Sequence, residues 1–134
     1  MRKFAATAFF SLAAAGLLAA PSVGARERLS GDAKLAKLLD GRVAGEGRNC
    51  LSSYKMRRMQ VIDGTAIVYR DGSTLWVNIP ANAEHLDDSD VMVTRMFGSS
   101  LCRQDIVDTY DRSGHFMNGV IFLGDFVPYR RVDS

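Results

Sequence analysis

The sequence has little of what catalytic and metal-binding sites are built from. Its 134 residues include two cysteines, two histidines, three prolines and one tryptophan. A zinc site takes three or four ligands at motif spacing, which His85, His115 and two distant cysteines do not supply. Cys50 and Cys102 are not in a Cys-x-x-Cys arrangement, so a thioredoxin-like role has no support. Ser99, Ser100 and Ser113 lie near turns, but no Gly-x-Ser-x-Gly elbow presents any of them as a nucleophile. No P-loop or Rossmann glycine pattern occurs, and no cofactor or metal is expected. Asp87-Asp88-Ser89-Asp90 faintly resembles a calcium loop but lacks the glycine bend and the terminal glutamate. It reads as a solvated connection.

The one long apolar run lies at the start. Arg2 and Lys3 precede Phe4–Ala20, which only Thr7, Ser11 and Gly16 interrupt. Pro21 comes next, then Val23-Gly24-Ala25 with small residues where a signal peptidase reads. This three-part layout predicts a leader over residues 1–25 cleaved after Ala25, rather than a retained membrane anchor. The run is short for a span, so no stable membrane span is expected after cleavage. No cysteine near the cleavage point offers a lipid attachment site.

Removal of the leader leaves residues 26–134, the size of one small domain. The full chain carries seventeen basic and fifteen acidic side chains; Arg2 and Lys3 depart with the leader, leaving equal numbers and a formal charge of zero. A neutral domain has no long-range field for phosphate backbones, so nucleic acid is not an expected partner. Both cysteines remain in an exported, periplasmic or secreted chain, where an even count favours a Cys50–Cys102 disulfide over buried thiols or a redox pair.

Along this segment, Ser30-Gly31-Asp32 is a helix start, and Leu35, Leu38 and Leu39 form one stripe that ends at Gly41. Period-two strands come after it. They run over 59–62 and 65–70, joined by Asp63-Gly64 as a type I′ turn, and over 74–79 up to Pro80. In this reading Ile67 and Tyr69 share one face, Ala66 and Val68 the other. A polar connection with one helical turn covers 81–90. Strands are expected at 91–97, 106–110 and 120–123, and 126–129 packs near the end. The class is mainly β (α+β): a small antiparallel sheet, sandwich or partly open barrel of about six strands with one N-terminal helix.

Trp76, Phe97, Phe116, Phe122, Phe126 and Tyr129 read as the core. Lys55, Arg57 and Arg58 form the one basic cluster and read as a charged edge strand rather than a contact for anionic lipid or polysaccharide. Arg103 and Asp105 flank the expected disulfide, where they either pair with each other and order the turn or face a ligand.

Asn49-Cys50-Leu51, Val61-Ile62-Asp63-Gly64, Leu101-Cys102-Arg103-x-Asp105 and Leu123-Gly124-Asp125-Phe126-x-Pro128-Tyr129 resemble a family of small secreted proteobacterial proteins classified as a domain of unknown function. The resemblance covers most of 30–129 and implies an exported domain with paired cysteines; it implies no activity. The expected function is a non-enzymatic module that binds an envelope component or a protein partner. The alternative is a small hydrolase or lyase in which His115 works with a carboxylate such as Asp111. That reading requires His115 in a pocket within hydrogen-bond reach of the acid.

Overall fold

The structure, a computed structural model, describes residues 29–132. The leader read over 1–25 and its cleavage after Ala25 lie outside the described residues. One helix, α1 (Gly31–Leu39), precedes ten strands: β1 (Arg42–Ala44), β2 (Cys50–Ser52), β3 (Met59–Ile62), β4 (Ala66–Asp71), β5 (Thr74–Asn78), β6 (Val91–Thr94), β7 (Ser100–Cys102), β8 (Ile106–Tyr110), β9 (Met117–Phe122) and β10 (Phe126–Arg131). The mainly-β class holds, with ten strands in place of about six. They form three antiparallel sheets: β1-β10-β5-β4-β3, the ribbon β2-β7, and β6-β8-β9.

Period two divides the five-stranded sheet into two apolar faces. Ile62, Ala66, Val68, Leu75 and Val77 form one buried cluster, against which Leu35, Leu38 and Leu39 of α1 and Tyr129 pack. The short helix is thus held by its leucine stripe as well as by Ser30, whose Oγ accepts the Ala33 N–H at 3.2 Å. The opposite face contributes Ile67, Tyr69, Trp76 and Phe126 to a second cluster. That cluster also takes Leu51 and Leu101 from the ribbon and Val107 and Ile121 from the β6-β8-β9 sheet. The layers are therefore helix, five-stranded sheet, then ribbon and three-stranded sheet side by side.

Several local readings change. Asp63-Gly64 is not a type I′ turn, because Gly64 alone takes a positive φ, +60°. Three residues separate the paired Ile62 and Ala66, and the Thr65 N–H donates to the Ile62 carbonyl at 3.0 Å. Residues 126–131 form a full inner strand despite Pro128. The ring leaves no unmet partner, because β1 ends at Ala44 beside it and the Gly45 N–H uses the Pro128 carbonyl at 2.7 Å. The chain rejoins β10 two residues earlier in its sequence, where Arg48 and Phe126 exchange backbone bonds of 2.9 and 2.8 Å.

Two asparagines stitch the layers by acting as surrogate peptide groups. Asn78, fully buried, donates Nδ2 to the Gly124 carbonyl (2.7 Å) and accepts the Gly124 N–H on Oδ1 (2.9 Å). Asn82 does the same to the edge of β9, donating to the Val120 carbonyl (2.8 Å) and accepting the Phe122 N–H (2.9 Å). With the Ala81 N–H on the Phe122 carbonyl at 2.9 Å, residues 81–82 cover part of that edge without being a strand.

Tyr69 is buried between the sheets, and desolvation pushes its phenol well above the usual tyrosine range. The native state therefore keeps a proton that the unfolded chain loses near pH 10. The stability linked to Tyr69 is fully present below that pH and is lost as pH rises toward the native value, at about 1.4 kcal/mol per pH unit. Alkaline unfolding followed by tryptophan fluorescence should accordingly start at higher pH in Tyr69→Phe than in the wild type. Identical midpoints would remove Tyr69 from the alkaline transition.

Candidate functional site

The disulfide is present. Cys50 and Cys102 are directly opposed on β2 and β7 with Cα atoms 4.0 Å apart. The flanking Arg103 N–H donates to the Asn49 carbonyl (2.8 Å) and the Ser53 N–H to the Ser99 carbonyl (2.8 Å), which places the cysteines at a non-hydrogen-bonded pair, where side chains come closest. That position leaves the Cys102 N–H without a strand partner. Asp105 Oδ2 accepts it at 2.7 Å, and the Asp105 N–H donates back to the Cys102 carbonyl at 2.9 Å.

Arg103 and Asp105 therefore do not pair with each other. The segment is a tight turn that directs them apart. Arg103 Nη1 reaches Asp125 Oδ1 at 3.0 Å instead, an ion pair about half exposed on both sides and so of small energetic weight. Asp105 lies with Arg95, Phe97, Gln104 and Ile106 around a shallow hollow of about 280 Å³.

His115 does not meet the condition that the hydrolase or lyase reading set. It is exposed at the end of the 111–115 turn, at φ +56°. Its N–H closes the turn on the Asp111 carbonyl at 2.9 Å, while Asp111 Oδ1 accepts the Ser113 and Gly114 N–H groups at 2.9 and 2.5 Å. The carboxylate is committed to the backbone, and no carboxylate among the described residues pairs with the His115 ring. Histidine is among the residues that tolerate this left-handed conformation, so its place here is that of a turn residue.

The basic cluster is not an edge strand. Lys55 sits in a 3₁₀ turn, its Nζ 3.6 Å from Asp71 and 4.9 Å from the Trp76 ring centre, while Arg57 and Arg58 are exposed before β3 begins. Among the six aromatics expected in the core, Trp76 and Phe126 are buried and Tyr129 half-buried. Phe97, Phe116 and Phe122 are 95, 74 and 57 % exposed and do not belong to it. In the acidic stretch, Asp87 and Asp88 approach Asp63, one carboxylate oxygen from each lying within 4.8 Å of the others, and all three residues are exposed. The Asp88 N–H donates to Asp63 Oδ1 at 2.7 Å and the Gly64 N–H to the Leu86 carbonyl at 2.9 Å. These contacts dock the β3-β4 turn on the 86–88 segment.

Two surface features stand out from the folded chain. The first is the outer face of the β6-β8-β9 sheet. Register places Val93 opposite Asp108 and Asp108 opposite Val120, with Ile106 opposite Phe122 and Val91 opposite Tyr110. Val91, Val93, Ile106 and Phe122 are exposed there, and Phe97, which shares a hollow with Ile106, extends it. Arg95 Nη2 lies 3.9 Å from Asp108 Oδ2 in the middle of this face.

The second is a cleft of about 430 Å³ between the 82–90 segment and the β9 edge. Asn82, His85, Asp87, Asp90, Thr109, Asn118 and Phe122 are among the residues that line it. Asn118 Nδ2 donates to Asp90 Oδ1 at 2.8 Å. Hydrogen bonds from the Ser89 hydroxyl and N–H hold the Asp87 carboxyl below its usual range, so it is ionised at neutral pH. Neither Arg103, Asp105 nor His115 enters this cleft. Sequence reading passes over Asn82, Asn118 and Thr109 because isolated amides and hydroxyls near turns carry no spacing signal. His85 and Asp90 are visible in the sequence only as loop residues.

Among the described residues no helix is long and apolar enough to cross a membrane. Comparison with known proteins finds no family model, curated protein or solved structure that matches this chain.

Proposed function

We propose that the chain is an exported, non-enzymatic assembly module of the cell envelope, and that it pairs with a second copy of itself through the outer face of the β6-β8-β9 sheet. The observation that carries this reading is the apolar character of that face. At ~150–250 Å² per aromatic side chain, Phe97 and Phe122 alone expose roughly 300 Å². With Val91, Val93 and Ile106 the face reaches roughly 500 Å², toward the upper end for a free monomer. A stable pair takes about 800 Å² from each partner, so polar neighbours such as Arg95, Gln104 and Asp105 would supply the rest of the contact.

A second copy is the occupant that the chemistry favours. A two-fold contact requires one surface to complement itself. This face holds both members of a loose ion pair, Arg95 and Asp108, and both an anchor, Phe97, and the hollow bordered by Ile106 and Gln104 that an anchor would enter. Export rests on the leader layout, and the Cys50–Cys102 disulfide fits an oxidising compartment.

Light scattering and analytical ultracentrifugation on the secreted chain test the reading. Dimer with a Kd in the micromolar range or tighter is the expected result, and Phe97→Ser, at a position 95 % exposed, should give a folded monomer. A wild-type chain still monomeric at ~500 µM overturns it.

A further inference from the structure

We propose that the cleft between the 82–90 segment and the β9 edge is a subsite for one neutral sugar ring, recognised through a pair of adjacent hydroxyls by Asp90 and Asn118. This goes beyond the self-association reading: the cleft opens at the β9 edge and shares Phe122 with the border of that face.

The cleft volume, about 430 Å³, lies at the small end of ligand pockets and suits a single ring rather than an extended chain. Its polar groups are of mixed type. Asp90 spends Oδ1 on Asn118, which fixes the two side chains against each other. The pair then offers Asp90 Oδ2 and Asn118 Oδ1 as acceptors beside the second Nδ2 hydrogen as donor. Adjacent hydroxyls are the complementary group, because each can donate to the carboxylate while accepting from the amide.

The rest of the lining sharpens the class. Thr109 is buried and lines the cleft, and a threonine hydroxyl both donates and accepts. His85 is exposed at the rim beside Glu84, 3.7 Å away. Phe122 contributes a largely exposed ring that can lie against the C–H face of a sugar, and Val120 lies next to that wall. Two carboxylates and no lysine or arginine line the space, so phosphates, sulfates and acidic sugars are repelled. A purely apolar ligand would strand the Asp90–Asn118 pair. A neutral polyhydroxylated ring meets both constraints.

The cleft is also stiffened before any ligand arrives. Asn82 clamps the 82–90 segment to β9 with two hydrogen bonds, and Ala81 adds a third. Both walls are thereby held, which lowers the ordering penalty on binding.

The test is an amide chemical-shift titration of the secreted chain with methyl α-mannoside, glucose and N-acetylglucosamine, each to ~100 mM. Saturable shifts confined to 82–90 and 118–122 with at least one sugar are the expected result. Asn118→Ala should weaken that binding about tenfold, while Phe97→Ser leaves it unchanged and so separates this site from the self-association face. Asn118 is exposed, so the variant should fold, as circular dichroism will show. Absence of saturable shifts with all three sugars overturns the proposal. So does undiminished binding by Asn118→Ala, or a response of the same amides to Ca²⁺ alone in place of sugar.

Discussion

Asn78→Ala is expected to lose about 2–4 kcal/mol of unfolding free energy. Asn78 is fully buried, and its amide satisfies both polar groups of one residue, the N–H and C=O of Gly124. Alanine removes both partners at once and leaves a void at a fully buried side-chain position. Gly124 has no slack with which to find other partners, since its Cα lies against the Ile79 carbonyl so closely that a Cβ would collide with it. Urea unfolding followed by Trp76 fluorescence measures the loss, and a change within about 0.5 kcal/mol of wild type sinks the argument.

Asn78→Asp adds a pH signature. One aspartate oxygen can still accept the Gly124 N–H, but the other faces the Gly124 carbonyl, where an amide hydrogen stood. The folded state thus favours a protonated carboxyl and raises its pKa above the unfolded value of about 3.9. The variant is closest to wild type below that pH and falls behind as pH rises through the native value. Asn82 makes the same two bonds to β9 from a half-exposed position, so Asn82→Ala loses about 1 kcal/mol, because water can replace the amide.

The second large effect is that of the disulfide. Replacing both Cys50 and Cys102 by serine is expected to lower stability by roughly 4 kcal/mol in the chain-entropy account, since the bridge closes a sequence separation of 52 residues. The structure adds a local reason. The ribbon it joins has three residues per strand, too few to persist alone, yet Leu51 and Leu101 of that ribbon belong to the core. Cys50 is exposed, so dithiothreitol should reach the bond in the folded protein and reproduce the serine variant. Equal urea midpoints with and without reductant would show that the ribbon is held by packing alone.

The contrast between these two sites shows what sequence could convey. The Cys50–Cys102 pairing is legible because two cysteines leave one intramolecular connectivity. The role of Asn78 is not legible, because a lone amide in a strand carries no spacing signal and its partner is 46 residues away. Arg103 and Asp105 show the same limit. Two residues apart in sequence, they suggested each other as partners, whereas the turn after β7 sends one to Asp125 and the other back to the Cys102 backbone. Strands β1, β2 and β7 are three residues each, too short for alternation to register, and Pro128 argues locally against β10, which it enters only because β1 ends beside it at Ala44.

The aromatics mark the boundary most clearly. Local alternation correctly separated Ile67 and Tyr69 from Ala66 and Val68, and both sets proved buried because the sheet is covered on both sides. The same alternation runs along β8 and β9, where Val107 and Ile121 of the inner set join the core while Phe122 and Ile106 of the outer set remain exposed. Sequence by itself determined the mainly-β class, the helix with its leucine stripe, the hairpins of 59–79 and the equal count of acidic and basic side chains over residues 26–134. Each comes from periodicity, turn chemistry or composition, which act over a few residues or over the whole chain. Tertiary structure alone decided which sheet faces acquire a cover, which distant backbone groups the two asparagines bind, and which polar side chains converge on a cleft. Parity along a strand says that two side chains share a side, and only the packing of the layers says whether that side meets protein or water.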